Sequence, residues 1–293
     1  MPSIDVGPKG GRLTEMGDDL IIKKLGFFFA IFASTICYAR FALFDGTYYI
    51  AIFSNDFAIV SIDSRTTDPL RPEIPPNDQY CKIIPLSDDL IFFSTGLVAA
   101  KEDNRVILAA AEAAREVYAT ASHPSDLGEL IDRWDIRIRP SYTQMIMMHS
   151  EIAEIISRKP IVDGLFIGIS RSNRMALAQA ELTYTTDGQI NTNLNYHEPA
   201  GSGIAIFHGG HPEIIEELDR GMTERARATI AQMKARQARA SGVDVLADKS
   251  SVAVKAVMDW SNDSAIGGDI ASIIIERGKK LRWFSRPAFC TEN

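Results

Sequence analysis

Residues 47–65 read TYYIAIFSNDFAIVSIDSR, and their pattern decides the fold. Two runs rich in β-branched and aromatic residues, 47–53 and 57–63, flank Ser54-Asn55-Asp56, a triplet suited to a turn. A hairpin of this kind opens a sheet. The ten residues that follow, DPLRPEIPPN, hold four prolines and cannot supply a ladder, so they predict an excursion. A second hairpin is expected from residues 81–96, CKIIPL and LIFFSTG, turning at Ser87-Asp88-Asp89.

Farther along, residues 104–120 are rich in Ala with Glu and Arg between, which predicts a helix. Another helical pattern starts at Pro124-Ser125-Asp126. Pro140 is expected to interrupt it, with a continuation to residue 158. Residues 161–170 and 175–186 read as a third strand pair, and residues 201–207, GSGIAIF, as a further strand. Helices are expected at 213–220, 223–241 and 252–260, and closing strands at 269–276 and 280–284. Strands and helices thus come in blocks, strands on both sides of the helical ones. The pattern predicts an α+β fold, two antiparallel sheets packed face to face between two helical layers, a four-layer αββα sandwich.

Upstream of the first hairpin, Lys23 and Lys24 precede an apolar run at 25–39 that ends in Cys37-Tyr38-Ala39. About fifteen apolar residues suit a secretory signal better than the ~20 that span a bilayer. Export is the favoured reading, with a retained membrane anchor or a propeptide packed on the domain as alternatives. Initiation at Met16 would shorten the polar segment ahead of the run. The chain divides into a signal and propeptide segment, 1–46, and one domain, 47–293.

Composition bounds the rest. The chain has 293 residues, 46% hydrophobic and 24% charged, which suits a globular domain with a sizeable core. A net charge of −7 argues against nucleic acid as a partner. Three cysteines are too few for a disulfide framework, and at most one bridge, Cys81 to Cys290, could form in a mature exported chain. His208, His211 and Glu213 lack the HExxH spacing, so no metal is expected.

Gly46-Thr47 at the start of one strand, Asp63-Ser64-Arg65 at the end of its partner and Cys81-Lys82-Ile83 opening the third resemble the proteasome β-subunit family of amino-terminal-nucleophile hydrolases. Asp63 lies sixteen residues beyond Thr47, and Ser94-Thr95-Gly96 follows Lys82 at the family interval. Gly201-Ser202-Gly203, and Asp263 before Gly267-Gly268, extend the resemblance over most of residues 46–284.

The chemistry these residue types allow can be stated on its own terms. A threonine hydroxyl is a weak nucleophile, and a free α-amine with a pKa near ~8 can serve as its base. Thr47 must therefore become the first residue. Gly46 gives the backbone freedom for the hydroxyl to attack its own preceding carbonyl, an N-to-O acyl shift followed by hydrolysis. Lys82 beside Thr47 would lower the amine pKa by its charge, and Asp63 would hold and neutralise that lysine.

The resemblance further implies that Arg65 braces the site. It also implies that the Gly96 N–H forms the oxyanion hole, and that Ser202 and Asp263 support the amine. A backbone donor of that kind lowers the barrier by about 3 kcal/mol. One departure is Ile266, where the family carries a serine. Strand alternation places Thr66, Tyr80, Ile84, Ser94 and Val98 around the nucleophile as a mostly apolar substrate pocket, so cleavage after bulky uncharged residues is expected.

The function expected is threonine-type hydrolysis of a peptide or protein substrate by a self-activated zymogen, with no cofactor. The resemblance allows a homo-oligomer or ring, and a membrane contact arises only if the apolar segment is retained. A non-peptidase amidohydrolase and an inactive, proteasome-like assembly subunit are the alternatives.

Overall fold

The structure is a computed structural model that describes residues 41–103, 105–157, 160–185, 187–199, 203–209, 212–237 and 242–290. Residues 1–40, with the apolar run at 25–39, lie outside the described residues. The described chain is mixed α and β, with three antiparallel sheets and six helices.

In the first five-stranded sheet, β2 (Tyr49–Phe53) and β3 (Phe57–Asp63) form the hairpin read from residues 47–63. Strand β12 (Ile270–Glu276) pairs with β3 and with β13 (Arg282–Ser285), while β11 (Ala205–His208) borders β2, giving the order β11-β2-β3-β12-β13. The second sheet, in the order β10-β9-β8-β5-β4, joins β4 (Ile83–Pro85), β5 (Leu90–Gly96), β8 (Val162–Ile169), β9 (Met175–Tyr184) and β10 (Ile190–His197). The third and smallest sheet runs β1-β6-β7, from β1 (Phe41–Phe44), β6 (Ala99–Glu102) and β7 (Arg105–Ala109).

Strand alternation sorts the apolar residues into three cores. Ala51, Phe53, Val60, Ile62 and Ile273 from the first sheet pack with Ile91, Phe93, Leu165, Ile167 and Leu177 from the second. On the opposite face of the second sheet, Phe92 packs against both Phe166 and Trp134 of α2 (Leu127–Met148). The same core takes in α1 (Ala110–Thr120) and α3 (Ser150–Ile156). On the opposite face of the first sheet, Ile50, Ile52, Ile59 and Ile274 meet Val254 and Val257 of α6 (Val243–Trp260) and Ile214 of α4 (Pro212–Arg220). Helix α5 (Glu224–Gln237) packs against α4 and α6. Because the central strands of the two five-stranded sheets are covered on both faces, they read as continuous apolar runs.

Two expectations need correction. Residues 105–109 are strand β7, not the first turns of a helix, since they pair with β6 and helix α1 starts only at Ala110. Pro140 does not interrupt α2, which runs through it. The carbonyl that loses its partner is that of Ile136, a residue 70% exposed, so water can take the place of the missing N–H. Residues 190–197, to which the sequence pattern assigns no element, form an edge strand paired with β9 over its whole length.

Candidate active site

Asp63 ends β3, and Lys82 directly precedes β4, so the two sheets meet where these side chains meet. Lys82 Nζ lies 2.9 Å from Asp63 Oδ1, and both side chains are fully buried. The carboxylate accepts two more hydrogen bonds, from Tyr48 N to Oδ1 at 2.9 Å and from Gly267 N to Oδ2 at 3.0 Å. Burial lowers the Lys82 pKa, while the charge and hydrogen bond of Asp63 oppose that shift. The disulfide between Cys81 and Cys290 closes one residue before Lys82, tying the far end of the chain to this spot.

Tyr48 N anchors the backbone one residue after Thr47. Thr47 itself is partly buried, and its hydroxyl donates to the carbonyl oxygen of Gly46. Gly46 has φ +111°, and a Cβ there would lie 2.5 Å from the Ala265 carbonyl oxygen, so only glycine fits. Gly96 has φ +81°, and a Cβ there would lie 2.6 Å from the Ile161 carbonyl oxygen. The turn after Gly96 is held by Leu97 N, which donates to Ile161 O at 2.8 Å, and by Tyr142 Oη, which donates to Leu97 O.

The loop before β12 braces the other side. Arg65 forms a bidentate pair with Asp78, Nε to Oδ1 at 2.6 Å and Nη2 to Oδ2 at 3.0 Å. That pair holds the Asp78 carboxyl below its ordinary range. Arg65 N also donates to Gly267 O at 3.0 Å. Asp263 is exposed, and its carboxylate accepts from Ala265 N at 2.8 Å within the loop that abuts Gly46. Ile266, at the family's serine position, is buried with Tyr48 and α6, so its side chain serves the core. Gly201, Ser202 and His211 lie outside the described residues.

The expected pocket residues divide. Val98 N donates to Phe44 O at 2.9 Å, and Tyr80 stacks on the Phe44 ring with centroids 6.3 Å apart. Thr66 is buried and bridges to Asn77. Ile84 is buried in the helix-side core, and Ser94 is buried within β5. What the residue reading missed is the segment before Gly46. Residues 41–44 pair with β6, and Asp45 exchanges backbone hydrogen bonds with Thr67 at 2.9 and 2.8 Å. FALFD carries no alternation of its own, and only its pairing with β6 and Thr67 makes it a strand.

No family model matches this chain, and no curated protein matches it. Among solved structures, the Anbu (Gly-1) mutant from Hyphomicrobium sp. strain MC1 aligns over 82% of this chain and 87% of its own, at 14% identity and a TM-score of 0.45. A likeness of that degree carries no argument about chemistry.

Proposed function

We propose that the chain is an amino-terminal-nucleophile hydrolase of four-layer αββα architecture, similar to proteasome β-subunits. It cleaves itself between Gly46 and Thr47 and then hydrolyses amide bonds of peptide or protein substrates. The observation that carries this reading is the fully buried Lys82–Asp63 ion pair, whose carboxylate also accepts from the amide of Tyr48, the residue directly after Thr47.

In self-cleavage, Thr47 Oγ1 attacks the Gly46 carbonyl carbon. The C–N bond breaks, the hydroxyl proton passes to the departing amine, and an ester remains. Water then hydrolyses the ester, leaving a Gly46 carboxylate and a free Thr47 hydroxyl and α-amine. In turnover the amine accepts the hydroxyl proton as Oγ1 attacks the substrate carbonyl, then protonates the leaving amine; water releases the acyl group. Lys82 keeps the amine partly unprotonated, Asp63 holds Lys82, and the Gly96 N–H receives the oxyanion. Arg65 and Asp263 steady the surrounding loops. Hydroxyl, amine and backbone donor suffice, without a cofactor.

The Cys81–Cys290 disulfide supports an oxidising, exported setting. A second reading, an inactive subunit that builds an assembly, is favoured by Ile266, whose buried side chain brings no hydroxyl to the amine. The two separate on Thr47→Ala. The proposed enzyme loses both leader cleavage, read by intact mass, and peptide hydrolysis; turnover that persists in this variant contradicts the mechanism.

A further inference from the structure

Lys82 stands just outside the shortest strand of its sheet. β4 has three residues, pairs on one side only, with β5, and ends in Pro85, which has no N–H to give. Its ladder starts one residue too late to fix Lys82. The nearest backbone bond upstream runs from Tyr80 N to Ser64 O, at 3.3 Å.

A covalent tie takes the place of the missing ladder. Cys81 is joined to Cys290, 209 residues on, with Cα atoms 5.2 Å apart. Cys290 follows β13, the edge strand of the first sheet, and Cys81 precedes β4, the edge strand of the second. The bridge thus links the edges of the two sheets. At the other end of β4 the link is reversible: Leu281 N donates to Asp88 O at 2.7 Å, and Lys280 Nζ lies 3.0 Å from Asp88 Oδ2 between two exposed side chains. Asp63 belongs to the first sheet and Lys82 leads into the second, so their 2.9 Å contact depends on how these edges sit.

The bridge is open to chemistry from one side. Cys290 is 1% exposed, whereas Cys81 is partly exposed and offers its sulfur to a thiolate. Around Cys290 the chain turns back, with Cys290 N donating to Pro287 O at 3.0 Å and Arg286 Nε to Cys290 O at 2.6 Å. Those two bonds tie the tail to itself, and the bridge ties it to the start of β4.

We propose that the Cys81–Cys290 bridge is a redox switch on self-activation. With the bridge closed, Lys82 is held against Asp63 and the chain cleaves itself; with two thiols in its place, cleavage is held back. Closing passes two electrons and two protons from the thiols to a disulfide reagent such as oxidised glutathione, which leaves as two thiols. In opening, one thiolate of a dithiol attacks Cys81 Sγ and Cys290 departs as a thiolate. The second thiol of the dithiol then displaces Cys81 and closes its own disulfide. Self-cleavage is thereby tied to an oxidising setting. The switch rests on the hydrolase reading for the reaction it controls, but the tie between bridge and Lys82 does not.

The test has two arms. The full chain carrying Cys37→Ser, so that no third thiol competes, is made cell-free in dithiothreitol and divided between dithiothreitol and oxidised glutathione. Intact mass should show leader loss at least about tenfold faster in the oxidised half. Adding Cys81→Ser/Cys290→Ser should make it slow in both. Equal rates in the two halves, or a double variant that still responds, overturn the switch. The second arm is NMR on the full chain carrying Cys37→Ser and Thr47→Ala, which reads the folded site without any reaction. Dithiothreitol should shift the amide protons of Tyr48 and Gly267, which donate to Asp63, and leave those of Ala178 and Leu182 in β9 in place. Unmoved Tyr48 and Gly267, or shifts that spread through β9 as well, overturn the tie to Lys82. If the oxidised chain never cleaves, the hydrolase reading fails and the NMR arm alone decides that tie.

Discussion

Two aspartates sit at strand ends, and they are treated in opposite ways. Asp63 is fully buried with a lysine and two backbone amides on its oxygens. Asp163, in β8 opposite Thr95 and Glu181, has a buried Oδ1 that finds no hydrogen-bond partner among the described residues. Burial, and then the nearby Glu181, push its pKa up to about 7. One carboxylate is given donors on both oxygens, whereas the other is buried with Gln179 as its side-chain hydrogen-bond partner, which offsets only part of the upward shift. The first belongs to the proposed chemistry, and the second is a stability cost the mechanism does not use.

The largest effect that would break this contrast is loss of one partner at Asp63. Asp63→Ala or Lys82→Ala leaves an unpaired buried charge and should cost about 3–5 kcal/mol in denaturant unfolding, with leader cleavage lost. The double variant Asp63→Asn/Lys82→Met should recover part of the stability and none of the cleavage. Recovery of cleavage would show that the pair serves packing alone.

Opening the disulfide with Cys81→Ser/Cys290→Ser, next to Lys82, should lower stability by about 2–4 kcal/mol. It should also slow cleavage; unchanged cleavage would mean that the tether does not position Lys82.

The other side of the contrast is sharpened by Asp163→Asn. A carboxyl whose pKa is raised in the folded state contributes fully below its ordinary value of 3.8, and the contribution is lost as pH rises to about 7. Wild type should therefore lose stability across that interval. Asp163→Asn should flatten the profile and be more stable at pH 8 by about 1–2 kcal/mol. A profile still sloping to the same degree would assign the loss to another group. The smallest effect is expected at the exposed pair Arg282–Asp244, where Arg282→Ala should change stability by under about 0.5 kcal/mol.

How much of this could be read from residues follows the local chemistry. The hairpin of β2 and β3 was legible because β-branched runs flank a turn triplet, whereas the Asp63–Lys82 pairing was legible through the resemblance to the proteasome β-subunit family and not from the residues alone. Strand β7 was not, since Val106 and Ile107 border an alanine run and only pairing with β6 settles their conformation. Strand β10 was hidden by its asparagines, tolerable at an edge where one face meets water. Asp163 carried no sign of its setting, because its burial depends on strands far apart in sequence. The leader strand escaped because nothing local says that a segment ahead of the nucleophile will pair with β6 and Thr67.

The most direct test of the central claim is the intact mass and amino-terminal sequence of the purified protein. The account predicts a chain that begins at Thr47. A chain that still carries Gly46 joined to Thr47 would contradict it.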